Sequence, residues 1–171
     1  MEILIFGVIL VGLMVYASTR IKRSAAQAFE PESIDEESFS LSKPKGFLCV
    51  LNGDPSLNFE SYSKEMGSGD ASRIRSAQAE LRIFKDRRLK DDVDKLKKDI
   101  DVSNEIAEVI DGKKYLILDG RSKEKEIVYR ESYKLIEDKG RLFEFKVKVL
   151  ESAAAEVSEG ADAMLGSFTI R

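Results

Sequence analysis

The chain has 171 residues, 28 Lys and Arg against 31 Asp and Glu, a net charge of -3, no histidine, no tryptophan and one cysteine. So even a balance offers neither nucleic acid nor a polyanionic surface an obvious purchase. The absent histidine and second cysteine rule out thiol-histidine pairs and the common zinc sites.

Residues 3–19 carry no charge and are almost wholly apolar. As a helix they would span ~26 Å, slightly short of a ~30 Å hydrocarbon core, so they predict a single-pass transmembrane anchor. A cleaved signal peptide is the competing reading, but such peptides carry their positive charge before the apolar run. Here Arg20, Lys22 and Arg23 follow it. The positive-inside tendency therefore places the rest of the chain on the cytoplasmic side, with an exported or periplasmic face as the alternative. Gly7 and Gly12 lie on different sides of such a helix, so they make no close-packing face for self-association. Residues 30–38, EPESIDEES, hold five acids, no base and a proline. They predict a flexible acidic spacer, and with it the division 1–22 anchor and basic flank, 23–42 linker, 43–171 soluble α+β domain.

The domain opens at 43–51, KPKGFLCVL, with proline-glycine punctuation that becomes a short apolar strand containing Cys49, a thiol placed for apolar filling rather than attack. Turn formers dominate 52–72, predicting a loop with one helical turn near 61–66. In AQAELRIF, Ala79, Leu81 and Ile83 alternate with Glu80 and Arg82, predicting a strand with one buried face. Leu89, Val93, Leu96 and Ile100 then form one helical stripe, with Asp91, Asp92 and Asp94 early and Lys97 and Lys98 late, in the order a helix dipole favours. The bases of this stretch interleave with acids, which makes a solvated face rather than a nucleic-acid patch.

After the helix the period becomes two. Asp111-Gly112 marks a hairpin, whose loop Lys113 and Lys114 should lengthen or bulge. The next strand puts Ile127, Tyr129, Tyr133 and Leu135 on one face, interrupted by Glu131. Then Phe143, Phe145, Val147 and Val149 alternate with Glu144, Lys146 and Lys148, as in a strand with one wet face. Residues 152–166 carry Ala153, Ala154, Val157, Ala161, Met164 and Leu165 at helical spacing, and SFTIR makes a tail. Meandering strands with a helix before and after predict an α+β fold: a twisted antiparallel sheet packed with helices, an α/β/α sandwich.

Gly46-Phe47 before a strand, the A-E-L-x-I strand at 79–83, the D-G-x-x-x-L-x-L-D-G hairpin at 111–120 and the M-L-x-S-F ending (Met164, Leu165, Ser167, Phe168) together resemble the PsbP/DcrB-like superfamily over 43–171. The resemblance implies an α/β/α sandwich and a noncatalytic role as an assembly factor, extrinsic subunit, envelope protein or adaptor. The chain lacks the tryptophan found after the first strand in several members. It also lacks histidine, so PsbP-type metal ligation does not carry over, and none of the superfamily's site residues transfers to a position here.

Ser61/Lys64, Ser40/Lys43 and Ser122/Lys125 each satisfy S-x-x-K, but three hits without a companion K-T-G motif mark chance. Gly67-Ser68-Gly69 is too short for a phosphate loop. No catalytic residue, cofactor or metal ligand is assigned. Phe59, Tyr62, Tyr115, Tyr129 and Tyr133 are candidates for an interaction groove on the sheet. The expectation is a membrane-anchored, noncatalytic protein-binding domain with a protein partner and no nucleic acid. The alternative is a lipid or small-molecule binding module on the membrane surface, with the sheet and the 52–72 loop enclosing the ligand.

Overall fold

The computed structural model describes residues 2–51 and 53–171; for residues 2–10, 12 and 23–25 it describes the backbone alone. Helix α1 (Glu2–Gln27) is followed by strands β1 (Glu32–Asp35), β2 (Phe39–Lys43), β3 (Phe47–Cys49), β4 (Phe59–Ser63) and β5 (Ala77–Lys85). Then come helix α2 (Leu89–Asp99), strands β6 (Asp101–Ile110), β7 (Lys113–Glu124), β8 (Ile127–Asp138) and β9 (Arg141–Leu150), helix α3 (Ala155–Ser167) and strand β10 (Thr169–Ile170). The fold is α+β. Seven antiparallel strands run in the order β3-β4-β5-β9-β8-β7-β6, and β1-β2-β10 form a small second sheet.

Alternation decides which helix each strand side meets. In β9, Phe143, Phe145, Val147 and Val149 join Ala79 and Leu81 of β5 in a core closed by Val157, Ala161 and Met164 of α3. Leu142, one residue away, belongs to a second core with Leu116, Leu118, Tyr133 and Leu135 under Val93 of α2. The two helices therefore lie on opposite faces of the sheet, because side chains one apart on a strand point to opposite sides. The M-L-x-S-F ending locks α3 in place. Met164 and Phe168 are fully buried. The Ser167 hydroxyl donates to the Met164 carbonyl at 2.8 Å and accepts the Ser42 N–H at 2.9 Å.

Several expectations are corrected. The segment read as a flexible spacer is ordered: β1 pairs with β2 from Glu32↔Lys43 to Asp35↔Ser40. Phe39 and Leu41 sit in the main core, and the Phe39 ring lies 6.2 Å from that of Phe168. Two of its acids pair with bases outside it, Asp35 with Arg171 at 2.6 Å and Glu32 with Lys43 at 3.6 Å. The tail is likewise strand β10, on the other side of β2. Where a helical turn was expected at 61–66, residues 61–63 are the end of β4, with Phe59, Ser61 and Ser63 facing inward.

The 111–112 hairpin is tight rather than lengthened. Ile110 pairs directly with Lys113, and Asp111 and Gly112 take φ of 52° and 77°, the left-handed pair that matches strand twist. The irregularity falls instead between Val102 and Asn104. There Gly120 lets β7 approach the start of β6, since a Cβ would stand 2.7 Å from the Asp101 carbonyl oxygen.

Helix α1 is present, but the first half of the apolar run read as an anchor, residues 3–10, has no described side chains. Among the described residues no helix is long and apolar enough to cross a membrane.

Candidate functional site

The residues singled out in the sequence do not converge. Arg20 and Lys22 are exposed on α1, and the Arg23 side chain lies outside those described. Phe59 is buried on the α3 face, edge-on to Phe145, and half-buried Tyr115 packs against the same core. Tyr62, Tyr129 and Tyr133 are on the opposite face. The Arg75 guanidinium lies 4.6 Å from the Tyr62 ring, and the Lys148 ammonium 3.9 Å from that of Tyr129.

That second face holds a buried polar cluster. Glu131, only 3% exposed, accepts hydrogen bonds from Ser122 Oγ and Tyr133 OH, both at 2.6 Å, and pairs with Lys146 Nζ at 2.9 Å. Lys148 stands 4.0 Å away and is itself paired with Glu124. Burial alone would raise the pKa of Glu131, but the bonds from Ser122, Tyr133 and Lys146 outweigh it and hold the carboxyl below its ordinary range. Burial and donation to Glu131 push Tyr133 far upward. The cluster is therefore an anion saturated by donors, and neither group exchanges a proton near neutral pH. It ties β7, β8 and β9 together under the edge of α2. Nearby, burial raises the pKa of Glu144, with Arg82 opposing.

The serine-lysine pairs are all engaged otherwise or apart. Ser40 bonds Thr169 and Ser122 bonds Glu131, while Ser61 is buried and Lys64 exposed. Burial raises the Cys49 thiol, which disfavours the thiolate. Among the described residues no three Asp, Glu or Cys side chains gather as a cation site. Among the described residues, the buried side-chain oxygens without partners belong to Ser61, Asp92 and Asp138, on three separate elements. The hollows beside the described residues 53–72, about 310 and 420 Å³, are open and lined by polar groups such as Asp54, Glu60, Asp70 and Glu151, unlike the enclosed ligand site expected there.

The larger hollow lies where α1 meets the domain. A groove of about 660 Å³ is walled by Phe29, Pro44, Gly46 and Phe47 on one side and Val157, Gly160 and Ala163 of α3 on the other. Lys43 fixes this junction. Almost fully buried, its ammonium donates to the carbonyls of Ala28 at 2.9 Å, Glu30 at 2.7 Å and Phe47 at 3.2 Å. The Gly46 N–H donates to the Phe29 carbonyl at 2.8 Å. An ammonium at the carbonyl end of a helix is favourably placed against its dipole. Sequence reasoning missed Lys43 because K-P-K-G reads as turn punctuation. Glu131 did leave a signal, as the one charge on an apolar strand face.

No family model and no curated protein matches this chain. Among solved structures it is similar to the cyanobacterial PsbP (CyanoP) of Synechocystis sp. PCC 6803, at 18% identity over 84% of this chain and 94% of that one, with a TM-score of 0.58. It is also similar to LpqN of Mycobacterium tuberculosis, described as involved in cell envelope biogenesis, at 11% identity over 82% and 90% of the two chains and a TM-score of 0.56. At these identities the likeness is one of fold: the chain has a PsbP/DcrB-like fold.

Proposed function

We propose that this chain uses its PsbP-like domain as a noncatalytic protein-binding module, an accessory or assembly factor held at a membrane by α1. The observation that carries the membrane part is the exposure of α1. Val11, Leu13, Met14, Val15 and Tyr16 each leave 60–65% of their surface open, and four consecutive positions at ~100° steps cover every side of a helix. Such a helix is suited to lipid rather than water, since each large apolar side chain left wet forgoes ~1.5–3 kcal/mol. Thr19 supports this, because its hydroxyl donates to the Val15 carbonyl at 2.8 Å and so needs no water. Residues 3–10 extend the same apolar character in sequence. The basic flank that follows favours a cytoplasmic domain, with the exported face as the alternative.

The binding part draws on two observations. Glu131, the least exposed carboxylate among the described residues, is held by three donors, and the fold is shared with CyanoP and with LpqN, a protein involved in cell envelope biogenesis. Membrane flotation after alkaline carbonate washing tests the anchor. The full chain should float with lipid, and a chain starting at residue 28 should stay at the bottom. Release of the full chain by carbonate would overturn the anchor. Protease added to intact cells should spare the domain, and rapid digestion would move it to the other side.

A further inference from the structure

The groove between the end of α1 and α3 differs from the other hollows in joining an apolar floor to an unneutralised acidic rim. Phe29, Pro44, Phe47 and Val157 supply the floor. Gly160 keeps it open, since a Cβ there would press to 3.3 Å from the Phe47 ring. Around it stand Glu30, Glu65, Glu156 and Glu159, all exposed. Among the described residues none of the four takes part in an ion pair. The two bases of the groove are Lys45 and Lys64, and Lys64 lies 5.8 Å over the Phe29 ring. The acids thus exceed the bases, a rim that repels anionic lipid and attracts a cation.

Lys43 pins the end of α1 directly to this groove with no free spacer. Given the membrane-anchored reading proposed above, on which this step rests, the groove opens within a few residues of the bilayer. Membrane-spanning proteins present Lys- and Arg-rich flanks there on the cytoplasmic side. We infer that the groove receives a basic and apolar segment of a partner membrane protein, at the cytoplasmic end of one of that partner's spanning helices. Apolar side chains would seat against Phe29 and Phe47, and bases would face Glu30, Glu156 and Glu159. The acids contribute orientation and salt dependence more than depth of binding.

The test uses the full chain in mild detergent micelles and a short fluorescein-labelled peptide built only of Lys and Leu at helical spacing, followed by anisotropy. The wild type should bind it, and a Glu156→Lys, Glu159→Lys double variant should bind about tenfold more weakly. Rising salt should weaken binding further. Glu108→Lys, on exposed β6, should change nothing. The inference is overturned by equal binding to the double variant, by an equal loss in Glu108→Lys, or by equal binding of a peptide with Glu in place of Lys. It is also overturned if the double variant abolishes a dimer of the chain itself, because the occupant is then a second copy. Peptide binding in micelles does not depend on membrane insertion. Carbonate release with binding intact would therefore contradict the anchor alone, and retention with binding lost to no acid variant would contradict the groove alone.

Discussion

The two faces of the seven-stranded sheet are built on different principles. The α3 face is dry and aromatic: Phe145 lies 5.0 Å from Phe168 and 6.2 Å from Phe59, ring centre to ring centre. The opposite face is apolar where α2 covers it and again where Ala71 and Ile74 pack on Tyr129 and Leu150. Beyond α2 it becomes a lattice of charges in which Arg82 bridges Glu80 at 2.9 Å and Glu144 at 3.5 Å, and Lys146 and Lys148 lie over tyrosine rings. A sheet can thus be closed on one side by shape and on the other by paired charge. The second closure responds to pH and the first does not.

Truncating the dry face should have the largest effect. Phe145→Ala removes a fully buried ring and should cost ~3–5 kcal/mol in chemical denaturation followed by circular dichroism. A loss below ~1 kcal/mol would mean that this core is loosely packed. Glu131→Gln comes next, at ~1.5–3 kcal/mol, because Lys146 loses its counter-charge. The pH dependence follows from sign. Glu131 titrates lower in the fold than unfolded, so its contribution is complete above the ordinary carboxylate range, ~4.3, and is lost as pH falls through its folded value. The wild type should therefore lose stability on acidification more steeply than Glu131→Gln, whereas Phe145→Ala should keep the wild-type slope.

Glu137→Ala should cost ~1 kcal/mol, since Glu137 accepts the Leu89 N–H at 2.9 Å, as a cap supplied by the sheet to α2. Hydrogen exchange should then rise first in α2. Tyr62→Leu, at the open margin of the charged face, should stay within ~0.5 kcal/mol.

The two faces were unequally legible in the sequence. Period-two alternation in β5 and β9 and the 89–100 helical stripe announced the layers, because each apolar position there reports a local constraint. What was not legible is carried by tertiary partners that no local periodicity reports. Residues 30–38 look like solvated spacer until Arg171 and Lys43 arrive to pair with Asp35 and Glu32. Lys43 looks like turn punctuation until three carbonyls converge on it. The five aromatics looked like one groove, but strand alternation and register put Phe59 and Tyr115 on one face and Tyr62, Tyr129 and Tyr133 on the other. The groove at the α1 junction combines 26–30, 44–47, 64–65 and 154–163, a juxtaposition that no local pattern encodes.

Membrane attachment and the groove beside α1 lead to one joint expectation: the domain, held at a membrane, engages another membrane protein through that groove. Crosslinking in intact membranes, followed by purification of the full chain in mild detergent, tests it most directly. A discrete heavier species containing a membrane protein should be recovered with the wild type and with Glu108→Lys but lost with Glu156→Lys, Glu159→Lys. Recovery of the chain alone, or of the same species with the double variant, would contradict it.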